Sequence, residues 1–141
     1  MKKTIPNIEA LKIIEESIKA GNNIRLTVRG NSMSPLLLDG IDKITLLPFI
    51  NEDLKKGDII LFRYGESFIL HRIIEIQGNI QDGKIITKGD ALKQKEEICY
   101  SNVIAVAQVP KIGLMKLYAR RGRILINRII LHIKKLLTTH N

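Results

Sequence analysis

Apolar residues near the N-terminus recur at three- and four-residue steps, and this spacing predicts a helix over residues 6–20. The apolar positions that share one face of this helix are Ile8, Leu11, Ile14 and Ile18. Gly21 follows as a stop signal. We expect the apolar face to pack on the domain that follows, and a role in gripping a substrate is the alternative.

From Ile24 the period changes to two, because Ile24, Leu26 and Val28 alternate with polar residues, and this alternation is typical of a strand. Further strand-like runs follow at residues 43–47, 59–62, 68–76 and 102–109. The turn-like residues 64–67 join two of these runs as a hairpin. We expect the run at 102–109 to be the last strand of a mostly β domain.

A second helix is predicted over residues 120–137, because its side chains divide into an apolar face and a basic face. Within roughly 140° of one another lie the apolar residues, namely Leu125, Ile126, Ile129, Ile130, Ile133, Leu136 and Leu137. On the remaining arc lie the cations Arg121, Arg123, Arg128, Lys134 and Lys135. The apolar face can dock on the β domain, on a second copy of itself or in an anionic membrane surface, and an acidic partner is a further alternative.

Three short blocks carry candidate chemistry. Residues 30–35 read Gly-Asn-Ser-Met-Ser-Pro, His71-Arg72 ends an apolar run, and residues 87–90 read Thr-Lys-Gly-Asp. A serine hydroxyl is a poor nucleophile unless a base takes its proton, and a neutral imidazole oriented by a carboxylate can do so near neutral pH. Ser32 and His71 are therefore the candidate nucleophile and base.

The order of these blocks, with Lys-Gly-Asp-Ile-Ile at residues 56–60 between the first two, resembles the signal peptidase I and LexA-type serine peptidase superfamily. The resemblance covers about residues 24–109. Histidine followed by arginine at positions 71 and 72 resembles the branch of the endoplasmic-reticulum and archaeal signal peptidases, where other branches carry a lysine base. The chain also resembles short, soluble relatives of that branch, which begin with a helix and lack the membrane anchor.

The resemblance implies a mainly β (α+β) fold, a partly closed β-barrel of the signal-peptidase type with an N-terminal helix and a basic amphipathic C-terminal helix. The corresponding boundaries are residues 1–22, 23–110 and 111–141. The acid that would orient His71 has two candidates, since Asp90 matches the Gly-Asp of the family pattern and Glu96 lies six residues later, where the family places an aspartate. Departures from the pattern at Ile41 and at residues 92–95 indicate altered loops.

Composition agrees with one small globular domain, because 45% of the 141 residues are hydrophobic. The single Cys99 excludes an intramolecular disulfide, and we expect it to be a small buried residue. No Cys/His cluster has the spacing of a zinc site, so we predict neither a metal nor a cofactor.

The net charge of +9 is concentrated in the last segment. Residues 1–110 contain 15 Lys/Arg and 14 Asp/Glu, whereas residues 111–141 contain eight Lys/Arg and no acid. The nearly neutral body, its few aromatic residues and the absence of a nucleic-acid motif argue against a nucleic-acid partner. No apolar run is long enough to span a membrane or to form a secretory signal, so we expect a cytoplasmic protein, with the inner membrane face as a place of association.

The expected function is therefore that of a serine endopeptidase that cleaves a signal-like or leader peptide from a precursor. The alternative is a catalytically weak or inactive module that keeps the fold and binds a leader peptide. A self-cleaving regulator of the LexA type ranks last, because residues 3–22 offer no scissile pair beyond Ala20-Gly21.

Overall fold

The computed structural model describes residues 8–109 and 114–138, and for Ile8, residues 114–118, 121, 123–126 and 138 it describes the backbone alone. The chain divides into two units, one up to Pro110 and one from Lys111. The predicted start of the first helix at residue 6 and the predicted boundary between residues 110 and 111 lie outside the described residues.

Over residues 8–109, the first unit contains one helix and seven strands. Along the chain they are α1 (Ile8–Lys19), β1 (Ile24–Thr27), β2 (Lys43–Leu47), β3 (Ile59–Tyr64), β4 (Ser67–Gln77), β5 (Lys84–Lys88), β6 (Lys95–Ile98) and β7 (Val103–Gln108). Short 3-10 turns lie at Asn51–Asp53 and Tyr100–Asn102. The predicted first helix, the hairpin between β3 and β4 and the strands β1, β2 and β7 are confirmed, whereas β5 and β6 were not predicted.

All strand pairs are antiparallel, and the order across the sheet is β1-β2-β7-β3-β4-β5-β6. The mainly β, α+β class is therefore confirmed. The sheet is open rather than barrel-closed, since no pairing joins β1 to β6 in the part of the chain that the structure describes. β7 is the last strand along the chain, but it lies inside the sheet between β2 and β3.

Both faces of the sheet are covered, as the alternation along β3 shows. Ile59 and Leu61 belong to one apolar cluster, whereas Ile60 and Phe62 belong to a second cluster on the opposite face. The first cluster includes the predicted apolar stripe of α1, in which Leu11, Ile14 and Ile18 are buried. Helix α1 therefore stabilises the half of the sheet that contains β1.

The second unit contains α2 (Leu114–Thr138), which confirms the predicted C-terminal helix. None of the described helices is long and apolar enough to cross a membrane. Cys99 is exposed, so the prediction of a buried cysteine is wrong. It directly follows β6, in which the neighbouring Ile98 points inward, and the alternation of a strand turns the next side chain outward.

Candidate active site

Ser32 lies in a turn that follows β1. Two aspartates accept hydrogen bonds from backbone N–H groups of this loop. Gly30 adopts a φ of +86°, which favours glycine, and its N–H donates to Oδ1 of Asp39 at 2.9 Å. Further along, Oδ2 of the buried Asp42 accepts a hydrogen bond of 2.7 Å from the N–H of Leu38. These hydrogen bonds join the start of the loop that contains Ser32 to its end. Ser32 itself is half-buried. The departure from the family pattern at Ile41 is followed by Asp42, so this loop keeps an aspartate that accepts a hydrogen bond within it.

His71 lies near the middle of β4, where it pairs with Ile60 of β3 and is only 5% exposed. The edge of its ring meets the ring of Phe62, with 6.3 Å between the ring centroids. Nδ1 lies 2.9 Å from Oε1 of Glu96, although the oxygen is out of line with an Nδ1–H bond, so Nδ1 has no aligned hydrogen-bond acceptor. The distance supports an electrostatic interaction between the ring and the carboxylate.

Glu96 is brought to His71 by the two strands that the sequence did not predict. Thr87 of β5 pairs directly with Glu96 of β6, and Thr87 also pairs with Ile73, two residues from His71 on the same face of β4. Oε2 of Glu96 accepts a hydrogen bond of 2.8 Å from Oγ1 of Thr87. The carboxylate therefore contacts His71 with one oxygen and Thr87 with the other, and all three side chains are buried.

Asp90 has a different partner. Its two carboxylate oxygens accept hydrogen bonds of 2.9 Å and 2.8 Å from Nε and Nη2 of Arg72, a bidentate pair. Nη1 of Arg72 donates to the carbonyl of Gly57 at 2.9 Å. The hydrogen bond that Arg72 donates to Asp90 raises the pKa of Arg72 above its usual value, and the negative charge of Asp90 adds to this effect against the opposing effect of burial. Of the two candidate acids, Glu96 is the one that lies against His71.

The turn that contains Asp90 is hydrogen-bonded to the serine segment and lies beside the ring of His71. The carbonyl of Ser32 accepts a hydrogen bond of 2.8 Å from the N–H of Ala91, and Sδ of the buried Met33 lies 3.4 Å from the N–H of Asp90. A β-carbon at Gly89 would lie 2.8 Å from the Ser32 carbonyl oxygen and 2.9 Å from Nε2 of His71. These two atoms are therefore close neighbours on one side of Gly89, although no hydrogen bond joins the Ser32 hydroxyl to His71 among residues 8–109.

A cavity of about 610 Å³ opens beside Ser32 and His71. Its walls are mostly apolar side chains from α1, from β1 and the residue after it, and from β4, including Leu11, Ile14, Leu26, Val28, Phe68 and Leu70. Apolar concave sites with a few polar groups are typical of ligand pockets. The candidate nucleophile and base thus line a groove that can accept an apolar side chain.

Thr87 and Gly89 are site residues to which the sequence assigned no role. The alternation over Lys84–Lys88, with isoleucines and a threonine between two lysines, is the one signal that could have indicated β5 and an inward Thr87. Nothing in the sequence shows that Gly89 faces His71, because this depends on the strand pairing. No cluster of three potential metal ligands is present within the described residues.

Neither the protein-family models nor the curated proteins with which the chain was compared give a match.

Proposed function

We propose that this chain is a serine endopeptidase, similar to the histidine-containing signal peptidases, that cleaves a signal-like or leader peptide from a precursor. The observation that carries the proposal is the placement of His71, which has Glu96 at 2.9 Å from Nδ1 and the Ser32 segment beside Nε2. A base between an acid and a serine is the arrangement that serine peptidases of unrelated folds share.

In the proposed mechanism, Oγ of Ser32 attacks the peptide carbonyl while Nε2 of His71 takes the hydroxyl proton. His71 then gives this proton to the leaving amine, and the negative charge of Glu96 stabilises the imidazolium that exists between the two steps. Water hydrolyses the acyl-enzyme with His71 again as the base. Backbone N–H groups near Ser32 would stabilise the oxyanion, and those of Ser32 and Met33 donate no backbone hydrogen bond among the described residues.

The missing Ser32–His71 hydrogen bond is compatible with this mechanism, because catalytic hydrogen bonds are often long before substrate binds. Strand β1 is an edge of the sheet, and it lines the cavity through Leu26 and Thr27. An extended peptide could pair with this edge and place an apolar side chain in the cavity. The substrate class that fits is therefore an extended segment with an apolar residue close to the scissile bond.

A peptide-binding module without catalysis is the second candidate function. It is favoured by the position of Oε1 of Glu96, which is out of line with the Nδ1–H bond of His71 and leaves Nδ1 without an aligned acceptor. A base that is not held in the correct orientation loses much of its catalytic effect. The cavity and the edge strand would then bind a leader peptide but not cleave it.

The first test is covalent labelling of the full chain with a fluorophosphonate, followed by mass spectrometry of the labelled peptide. We expect the label on Ser32, and its loss in Ser32→Ala but not in Ser34→Ala, the matched control in the same turn. His71→Gln should slow labelling by about 100-fold or more, whereas His132→Gln, a control on α2, should leave the rate unchanged.

The second test is turnover of a peptide library, with cleavage products identified by mass spectrometry. Cleavage that requires Ser32 and His71 supports the peptidase. Binding of peptides that is unaffected by Ser32→Ala, together with no labelling and no cleavage, would overturn the peptidase and establish the binding module.

A further inference from the structure

The second half of α2 exposes a row of large apolar side chains. Their exposed fractions range from 44% to 66%, and the residues are Ile129, Ile130, Ile133, Leu136 and Leu137. At about 100° per residue they lie on one face of the helix. A continuous exposed apolar face of this kind is unusual on a protein surface and indicates a partner.

The charge of the same segment limits what that partner can be. Residues 111–141 contain eight Lys/Arg and no Asp/Glu, whereas residues 1–110 have a net charge of +1. Arg128 and Lys134 are exposed beside the apolar face. A second copy of this helix would bring two strongly positive segments together without any acidic residue to pair with them. An anionic surface, in contrast, would neutralise the cations while it covers the apolar residues.

We propose that α2 binds an anionic lipid surface, with its axis in the plane of the membrane and its apolar face among the acyl chains. No described helix meets the requirements for a span, so the binding is peripheral. The cations then lie at the level of the lipid phosphates, where each contributes on the order of 1 kcal/mol. The peptidase site would work close to the membrane surface, although lipid binding does not depend on that activity.

The electrostatic half of the proposal is tested by sedimentation of the full chain with phosphatidylcholine vesicles that contain or lack phosphatidylglycerol. We expect binding only with phosphatidylglycerol, and weaker binding as salt rises. Arg128→Gln/Lys134→Gln should lower the partition coefficient by about 30-fold. The control Lys56→Gln/Lys93→Gln makes the same change in net charge on exposed residues of the first unit and should have little effect.

The contribution of the apolar face to lipid binding is tested with a control residue in the same helix. Leu131 is 66% exposed but lies on the basic side, opposite Ile129 and Ile133. Ile129→Ser/Ile133→Ser should weaken binding by about tenfold or more, whereas Leu131→Ser should change it little. Isoleucine and serine have similar helix propensities, and circular dichroism checks that the helix is kept.

Three results would overturn the proposal. The first is no binding to phosphatidylglycerol vesicles, and the second is equal binding to vesicles of phosphatidylcholine alone. The third is a dimer in analytical ultracentrifugation that Ile129→Ser/Ile133→Ser dissociates, since the apolar face would then be covered by a second copy. Unchanged vesicle binding by Ser32→Ala supports a membrane function separate from peptidase chemistry.

Discussion

Thr87 and Glu96 face each other across β5 and β6, and the threonine hydroxyl donates a buried hydrogen bond of 2.8 Å to the carboxylate. This hydrogen bond fixes one oxygen of Glu96, so that the other remains beside Nδ1 of His71. The position of the carboxylate beside the candidate base is thus set in part by Thr87.

Replacement of Thr87 by valine should therefore affect stability and chemistry together. Thr87→Val keeps the shape but leaves a buried carboxylate oxygen without its donor, at a cost of about 1–3 kcal/mol in the free energy of unfolding. The labelling rate of Ser32 should fall because Glu96 can turn away from His71. Thr87→Ser keeps the hydroxyl and should recover most of both quantities. Urea unfolding and fluorophosphonate labelling measure them, and an equal loss in the serine variant would contradict the role of the hydroxyl.

Glu96 and Asp90 should respond differently to the loss of charge. Under the proposed mechanism, Glu96→Gln removes the charge that would stabilise the imidazolium, and Ser32 labelling should slow by about 100-fold or more. Asp90→Asn weakens the bidentate contact with Arg72, so we expect a loss of about 1 kcal/mol in stability and a rate change below about tenfold. The measurement compares the Ser32 labelling rates of the two variants. A slower rate in Asp90→Asn than in Glu96→Gln would reverse the assignment of the acid.

The sequence predicted the elements whose apolar spacing is regular. Helix α1 has its stripe at three- and four-residue steps, and β1 to β4 are bounded by glycines or polar turns, so local pattern and tertiary packing agree. β6 was missed because its residues, Lys-Glu-Glu-Ile, include three charges. Glu96 is buried there in contact with His71 and Thr87. No feature of the local sequence indicates such tertiary contacts.

The sequence also predicted Ser32 and His71, because the motif order around them is distinctive, but it left two candidate acids. Which of the two acids contacts His71 depends on the pairing of β5 with β6 and on Arg72, which donates hydrogen bonds to both oxygens of Asp90. Neither the strand register nor the contact between Arg72 and Asp90 can be predicted from the spacing of residues in the sequence. Barrel closure was expected from resemblance alone, and the edges of the observed sheet are β1 and β6.

Gly89 should tolerate no side chain. A methyl group there would lie 2.8 Å from the carbonyl oxygen of Ser32 and 2.9 Å from Nε2 of His71, so one of the two segments would have to move. We expect Gly89→Ala to lose about 1–3 kcal/mol of stability and nearly all Ser32 labelling. The control Gly122→Ala, on α2 with open space around its α-carbon, should be neutral or slightly stabilising. Normal labelling in Gly89→Ala would show that Ser32 and His71 do not meet beside this glycine.

Arg72→Lys tests whether the contact with Asp90 depends on the guanidinium. Lysine cannot form the bidentate pair or reach Gly57 in the same way, so we expect a loss of about 1 kcal/mol in the free energy of unfolding at neutral pH for this partly exposed pair.

The pKa of Arg72 is raised, so the contribution of Arg72 to stability is complete below the ordinary arginine value and is lost only as pH rises through the still higher value in the folded state. A lysine titrates near pH 10.4, roughly two units earlier. The stability deficit of Arg72→Lys should thus be larger at about pH 11 than at about pH 7, in unfolding measurements that include Arg25→Lys, an exposed strand residue, as the control. A deficit that is equal at both pH values, or that Arg25→Lys reproduces, would mean that the charge on residue 72 does not hold Asp90 in place.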